Sequence, residues 1–141
     1  MKKGKILLSF SAIVLLSVAG CQKYPDGPLV SARTKTERVA NNWKVGQAFE
    51  NGKDVTADYN RYELSLTKSG GADLSVKFVV IGATFEYTTN GTWSFVNSKE
   101  KLSFDYNNND ADGVYQILKL EEDEMWLKGD GGSLELHYVT R

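Results

Sequence analysis

The chain contains 141 residues, with 17 basic and 18 acidic side chains, one cysteine and one histidine. This length fits a single domain with its own hydrophobic core, and the charge balance argues against nucleic acid as a partner. A chain with one histidine and one cysteine lacks the ligands of an ordinary transition-metal site and cannot form an internal disulfide.

Residues 1–20 have the pattern of a secretory signal peptide. A basic start is followed by an apolar run of about 13 residues that ends at Val18, whereas a membrane-spanning helix needs about 20. Two small residues then precede Cys21. This arrangement resembles the signal peptide of bacterial lipoproteins. The resemblance implies that residues 1–20 are removed and that Cys21 carries a diacylglycerol and usually one further acyl chain.

Such an anchor would bind the protein to a membrane. Each buried methylene of an acyl chain contributes about 0.8 kcal/mol, and two or more acyl chains hold a protein stably on a bilayer. The alternative is an ordinary secretory signal in which the cysteine stands by chance. Removal of residues 1–20 takes away three lysines and no acidic residue, which leaves a net charge of about −4. That charge argues further against nucleic acid and against docking on an anionic membrane face.

Residues 21–30 are predicted to form a tether, since both prolines of the chain flank Asp26-Gly27 there. Gln22 follows the cysteine, so the aspartate of the enterobacterial inner-membrane retention signal is absent. The resemblance therefore implies that the protein is located in the cell envelope, at the outer membrane, either on its periplasmic side or on the cell surface. Residues 31–141 are predicted to be the folded domain.

Residues 31–42 are the one helical candidate. Thr34 and Glu37 match a capping box, in which each side chain satisfies a free amide of the first turn, and Asn41 and Asn42 can end the helix. Its basic side chains could contact phospholipid, but we interpret them as the solvated face of the helix.

From Trp43 onward, apolar and polar residues alternate with a period of two, in roughly eight to nine short segments separated by turn signals. Asn51-Gly52 and Asn90-Gly91 are hairpin dipeptides, because both residue types tolerate a positive φ. No second helical segment is predicted to cover a sheet face, so the sheet must close on itself or pack on another. We predict an all-β fold: an antiparallel meander barrel of about eight strands, preceded by one short α-helix. A two-sheet sandwich is the alternative.

Several segments together resemble the lipocalin-like lipoproteins of Bacteroidota. In those proteins a calycin-like β-barrel follows a lipobox, the short sequence that ends at the acylated cysteine, which here is residues 18–21. They are the lipobox itself, the Pro-Asp-Gly-Pro tether, the short helix that runs into Trp43, and the hairpin sequences that begin at Asn51 and Asn90. The resemblance implies a small-ligand-binding barrel, and it implies that Arg141 covers Trp43. We predict no catalytic activity and no cofactor from the residues themselves. The chain departs from lipocalins at Asn41, where they carry a glycine.

The predicted inward face of the barrel is rich in aromatic rings. The interior of an eight-stranded barrel is just wide enough to be filled by side chains or to hold one small ligand, so these rings either fill it or line an apolar pocket. Two functions therefore stay open: a lipid-anchored binding protein for a small hydrophobic or amphipathic molecule, and a non-catalytic envelope interaction protein with a filled barrel. The candidate ligand-lining residues are Tyr62, Phe78, Phe85, Tyr87, Trp93, Phe95, Phe104, Tyr106, Trp126 and Tyr138.

Metal and catalytic sites are not supported. His137 on the last strand should face solvent beside Glu135. Residues 107–113 copy the start of a calcium loop, but Lys119 stands where the closing glutamate is needed, so we interpret them as an Asx-rich turn. The acidic run 121–124 is interpreted as a solvated turn.

The sequence does not support acid catalysis, because the four candidate strand carboxylates are predicted to lie on polar, outward faces. They are Glu63, Glu86, Asp105 and Glu135.

The lipid anchor is tested by replacing the cysteine. We expect wild-type protein to incorporate radioactive palmitate in cells and the Cys21→Ser variant to incorporate none, because the thioether that carries the diacylglycerol can no longer form. Retention of label by Cys21→Ser would overturn the interpretation.

Overall fold

The computed structural model describes residues 31–141, and the predictions for the signal peptide, Cys21 and the tether lie outside this range. The described part contains two short α-helices, a 3₁₀ turn at Asn109–Ala111 and nine strands. In chain order the helices and strands are α1 Lys35–Val39, β1 Asn42–Glu50, β2 Lys53–Asp54, α2 Thr56–Tyr59, β3 Tyr62–Leu66, β4 Gly71–Val80, β5 Ala83–Val96, β6 Lys101–Tyr106, β7 Gly113–Leu120, β8 Glu124–Gly129 and β9 Leu134–Thr140. No helix of residues 31–141 is long and apolar enough to cross a membrane.

Eight of the strands form a closed antiparallel barrel. The strand order is β1-β3-β4-β5-β6-β7-β8-β9, and β9 pairs back onto β1 from Trp43↔Thr140 to Glu50↔Leu134. Strand β2 only extends the hairpin at the end of β1. The closing pairs cover the edges of β1 and β9 that an open sheet would expose. The predicted eight-stranded meander barrel is therefore confirmed, and the sandwich is excluded.

Helix α1 lies across one end of the barrel, which we call the closed end. The predicted capping box is present: Glu37 N donates to Thr34 Oγ1 at 3.2 Å, and Thr34 N donates to Glu37 Oε2 at 2.8 Å. The helix is shorter than predicted, because the chain is already extended at Ala40 and enters β1 at Asn42. Val39 is fully buried, and its carbonyl accepts the indole N–H of Trp43 at 2.8 Å.

The closed half of the barrel is filled by side chains. Its largest fully buried members include Trp43, Leu102, Leu120 and Met125. Arg38 is also buried there, and its Nη1 donates to the carbonyl of Leu120 at 2.8 Å. The prediction for the terminal arginine is corrected by this arrangement. Arg141 forms an ion pair with Glu63 at the surface instead, and the arginine buried at the closed end is Arg38.

The two predicted Asn-Gly hairpins have different outcomes. Asn51-Gly52 forms a tight turn with φ values of 51° and 77°, as predicted. The prediction for Asn90-Gly91 is wrong, because both residues lie inside the 14-residue strand β5. A Cβ on Gly91 would lie 2.0 Å from the carbonyl oxygen of Asp105. This glycine therefore permits close contact with β6 and does not form a turn.

The real β4–β5 turn is at Ile81-Gly82. The hairpin extends beyond its neighbours, since β3 pairs with β4 only as far as Val76 and β6 pairs with β5 only from Gly91. Residues 78–88 thus form a two-stranded arm at the end of the barrel opposite α1, which we call the open end. Its exposed apolar side chains are Phe78, Val79, Val80, Ile81, Phe85 and Tyr87.

The two tight turns give a matched stability test. Ile81 has φ 49° and Asn51 has φ 51°, a conformation that asparagine tolerates and a β-branched residue does not. We expect Ile81→Asn to raise the free energy of unfolding by about 1 kcal/mol and Asn51→Ile to lower it by a similar amount. Urea denaturation measures both variants. A loss of stability in Ile81→Asn would contradict the assigned turn.

Candidate functional site

A cavity of about 320 Å³ occupies the open half of the barrel. This volume is near the lower end of the range for small-molecule sites. The barrel strands provide its walls, and α2 and the β6–β7 loop form its rim. The lining residues are Tyr59, Tyr62, Leu64, Leu74, Val76, Tyr87, Phe104, Tyr106, Asn108, Asp110, Ala111, Asp112, Tyr115, Leu127, Leu134, Leu136 and Tyr138.

Tyrosine dominates the polar chemistry of this cavity. All six tyrosines of residues 31–141 line it. Burial raises the pKa of Tyr106 and of Tyr138 far above the ordinary value, and it also raises the pKa of Tyr115. These phenols are therefore neutral at physiological pH, and each can donate as well as accept a hydrogen bond.

The phenol hydroxyls of the cavity form few hydrogen bonds with other groups of the barrel. Tyr87 accepts a hydrogen bond from Nδ2 of Asn108. Nε of Arg38 is the one buried side-chain polar atom of residues 31–141 that lacks a hydrogen-bond partner. The phenol hydroxyls are therefore not sealed inside the protein without a partner, and those of the lining can bond to water or to a molecule in the cavity. The cavity thus has apolar walls with several hydrogen-bonding groups available to a molecule inside it.

The β6–β7 loop is held in place by its own polar side chains. Asn108 Oδ1 accepts from the backbone N–H of Asp110 at 3.1 Å, which confirms the predicted Asx turn. Asp112 Oδ1 accepts from the backbone N–H of Tyr106 at 2.6 Å. These bonds position Asp110 and Asp112 at the rim of the cavity.

The ten aromatic residues predicted to line a ligand site are divided by the structure into four groups. Five of them line the cavity: Tyr62, Tyr87, Phe104, Tyr106 and Tyr138. Trp93 and Phe95 lie outside the lining and pack edge to face at 5.4 Å, and the Trp93 indole N–H donates to the carbonyl of Thr67 at 2.8 Å. Phe78 and Phe85 stack on the exposed arm, beyond the rim, at 5.7 Å.

Trp126 forms the fourth group, and its predicted inward orientation is corrected. Met125 and Leu127, its neighbours along β8, are buried in the core, so the alternation of the strand puts Trp126 on the outer wall. There its ring lies parallel to that of His137, with centroids 3.9 Å apart.

His137 lies on the outer wall next to Glu135, as predicted, and its Nε2 is 2.5 Å from Glu135 Oε1. Its predicted exposure to solvent is wrong, because only 8% of the residue is accessible. The rings of Trp126 and Phe49 pack against it, the latter at a centroid distance of 5.3 Å.

Sequence reasoning missed two tyrosines of the cavity. The alternation of β7 contained the signal for Tyr115, which shares a face with the buried Ile117, opposite Val114. Tyr59 gave no such signal, because it is on the four-residue helix α2, which is too short to show a helical period.

A group of carboxylates lies at the closed end, at the turn between β7 and β8, and none of its members lines the cavity. Oxygen atoms of Glu121, Asp123 and Glu124 lie within 4.8 Å of one another. Lys119 Nζ lies 3.0 Å from Glu124 and 3.7 Å from Glu121. A side-chain cation therefore already balances part of this charge, and the group forms the predicted acidic turn.

Comparison with known proteins supports the fold. No protein-family model matches the chain, and no curated protein matches it. Among solved structures, the chain is similar to a lipocalin-like protein from Bacteroides uniformis, with a TM-score of 0.54 and 13% identical residues. The similarity covers 74% of this chain and 99% of that chain. The closed eight-stranded barrel thus has a lipocalin-like fold.

The buried phenols predict a specific pH dependence of stability. The raised pKa values of Tyr106 and Tyr138 keep them neutral in the folded state, while tyrosines of the unfolded chain ionise near pH 10. Their stabilising effect is complete below about pH 10 and is lost as the pH rises further, at about 1.4 kcal/mol per pH unit for each phenol.

Tyr138→Phe should therefore reduce the loss of stability per pH unit above about pH 10 by about 1.4 kcal/mol. Urea denaturation at several alkaline pH values measures this slope. Phe104→Leu is the control, because it removes a cavity ring without a phenol and should lower stability at every pH with the slope unchanged. An unchanged slope in Tyr138→Phe would contradict the assignment.

Proposed function

We propose that the protein is a lipid-anchored, non-catalytic binding protein of the cell envelope, located at the outer membrane through acylated Cys21. It binds a small hydrophobic or amphipathic molecule in the cavity at the open end of its barrel. The observation that carries this proposal is the cavity of about 320 Å³ with aromatic walls and six tyrosines in its lining.

The distribution of side chains along the barrel favours ligand binding over the alternative of a filled barrel. Side chains that include Trp43, Trp93 and Met125 fill the closed half, whereas the tyrosines of the open half surround a space. A filled barrel would need side chains that reach across that space. A few convergent polar groups in an apolar concavity are the usual form of a small-molecule site.

The lipocalin-like fold agrees with this proposal at the level of architecture, although fold by itself does not specify function. The position of the first described residues also agrees with an anchor that precedes them. Ser31 and Arg33 contact Glu122 at the closed end, with Arg33 Nε 3.2 Å from its Oε2. A tether that joins the barrel at the closed end does not obstruct the mouth of the cavity, because the mouth lies at the opposite end.

Ligand binding is tested with protein extracted from its own membrane. Native mass spectrometry should reveal a co-purifying small molecule on the wild-type protein and less of it on Ala111→Trp, because a bulky ring at the rim obstructs the cavity. Ala83→Trp is the matched control, since Ala83 is exposed on the arm and should leave the bound fraction unchanged. A wild-type protein without any bound mass, and without a thermal shift across a panel of lipids, sterols and amines, would overturn the proposal.

A further inference from the structure

We propose that the cavity selects organic cations, meaning amines or quaternary ammonium compounds with a small apolar body, over anions such as fatty-acid carboxylates. This inference rests on the proposed function, because it names the chemical class of the ligand that the same cavity takes.

The charges that line the cavity are of one sign. Asp110 and Asp112 both lie in its lining, and no lysine, arginine or histidine of residues 31–141 lines it. A carboxylate ligand would therefore lose its hydration next to two negative groups without gaining a cationic partner, which is unfavourable. An organic cation would instead approach two opposite charges at the rim.

The negative field extends beyond these two rim residues. Burial is the main cause of the raised pKa of Tyr106, and Asp73 and Asp112 raise it further. Burial is likewise the first cause at Tyr59, where Glu50 also raises the pKa. Two separate sides of the cavity thus experience nearby carboxylates.

The cations of the open end lie outside the cavity. Lys77 is on the outer face of the barrel, where its Nζ lies 3.7 Å from Glu63. Lys53 and Arg61 are exposed and do not contribute to the lining. Within the described part of the chain, no cationic side chain of this end therefore lines the cavity, and the charge of the lining is negative.

The aromatic walls of the cavity also favour a cationic ligand. Six phenol rings and Phe104 line the space, and the face of an aromatic ring attracts an ammonium group within about 6 Å of its centroid. The attraction amounts to about 0.5–1 kcal/mol at exposed sites and to 2 kcal/mol or more when the cation is desolvated. Rings surrounding a cation and carboxylates at the rim act in the same direction.

The test compares three probes of similar shape and different charge: phenyltrimethylammonium, its neutral carbon counterpart tert-butylbenzene, and benzenesulfonate. Binding to the full chain is measured at low salt from the NMR shifts of ring-labelled tyrosines, because the six described tyrosines line the cavity. We expect phenyltrimethylammonium to bind at least tenfold more tightly than tert-butylbenzene and benzenesulfonate to bind weakest.

The double variant Asp110→Asn/Asp112→Asn separates charge from shape, because an asparagine at position 112 can still accept the hydrogen bond from the backbone N–H of Tyr106. It should weaken binding of phenyltrimethylammonium about fivefold and leave tert-butylbenzene within twofold of wild type. Asp105→Asn is the matched control, since Asp105 is exposed outside the cavity lining and should change neither affinity.

The outcomes distinguish this inference from the proposed function. If tert-butylbenzene or benzenesulfonate binds as tightly as the cation, or if the double variant keeps the full preference, the cavity still binds small molecules and only the cation selectivity is overturned. If no probe shifts a cavity tyrosine, the proposed function is overturned together with it.

Discussion

The pairing of the first long strand with the last organises this structure. Strand β1 contacts β9 over its whole length, from Trp43↔Thr140 to Glu50↔Leu134. Without these hydrogen bonds, both strands would expose unpaired edges, and the alternating side chains of the meander would have no common interior. Once the ring is closed, every second residue of each strand is committed to the inside. The core, the cavity and the outer wall all follow from this closure.

The two ends of the barrel differ because one short helix covers only one of them. Helix α1 contributes Val39 and Arg38 to the closed end, where Trp43 bonds to the helix carbonyl. The open end has no equivalent helix and is bordered by α2, the β6–β7 loop and the β4–β5 arm. A tyrosine in this position has a ring that packs on the wall and a hydroxyl that can remain in contact with a polar environment. The site is therefore the part of the barrel interior that the helix does not fill.

The outer wall of the barrel shows how well the alternation of apolar and polar residues predicts which face a side chain occupies. The period of two correctly predicts the faces of Tyr62, Tyr106 and Tyr138, which line the cavity. The predicted inward orientation of Trp126 disagrees with this alternation, because its buried neighbours Met125 and Leu127 define the inward face of β8. Trp126 covers His137 on the outside instead. Large aromatic rings are thus no reliable indicator of the inward face when the alternation disagrees.

Local and periodic features of the structure are predictable from the sequence alone: the capping box at Thr34, the turn at Asn51-Gly52, the alternating faces and the count of about eight strands. These depend on backbone preferences and on neighbours along the chain. The straight course of Asn90-Gly91 through β5 depends instead on a tertiary contact, because a Cβ on Gly91 would collide with the backbone of β6 at Asp105. Tertiary contacts likewise select which inward residues line the cavity. This selection depends on the height of each residue along the barrel and on which end α1 fills, and a period of two encodes neither.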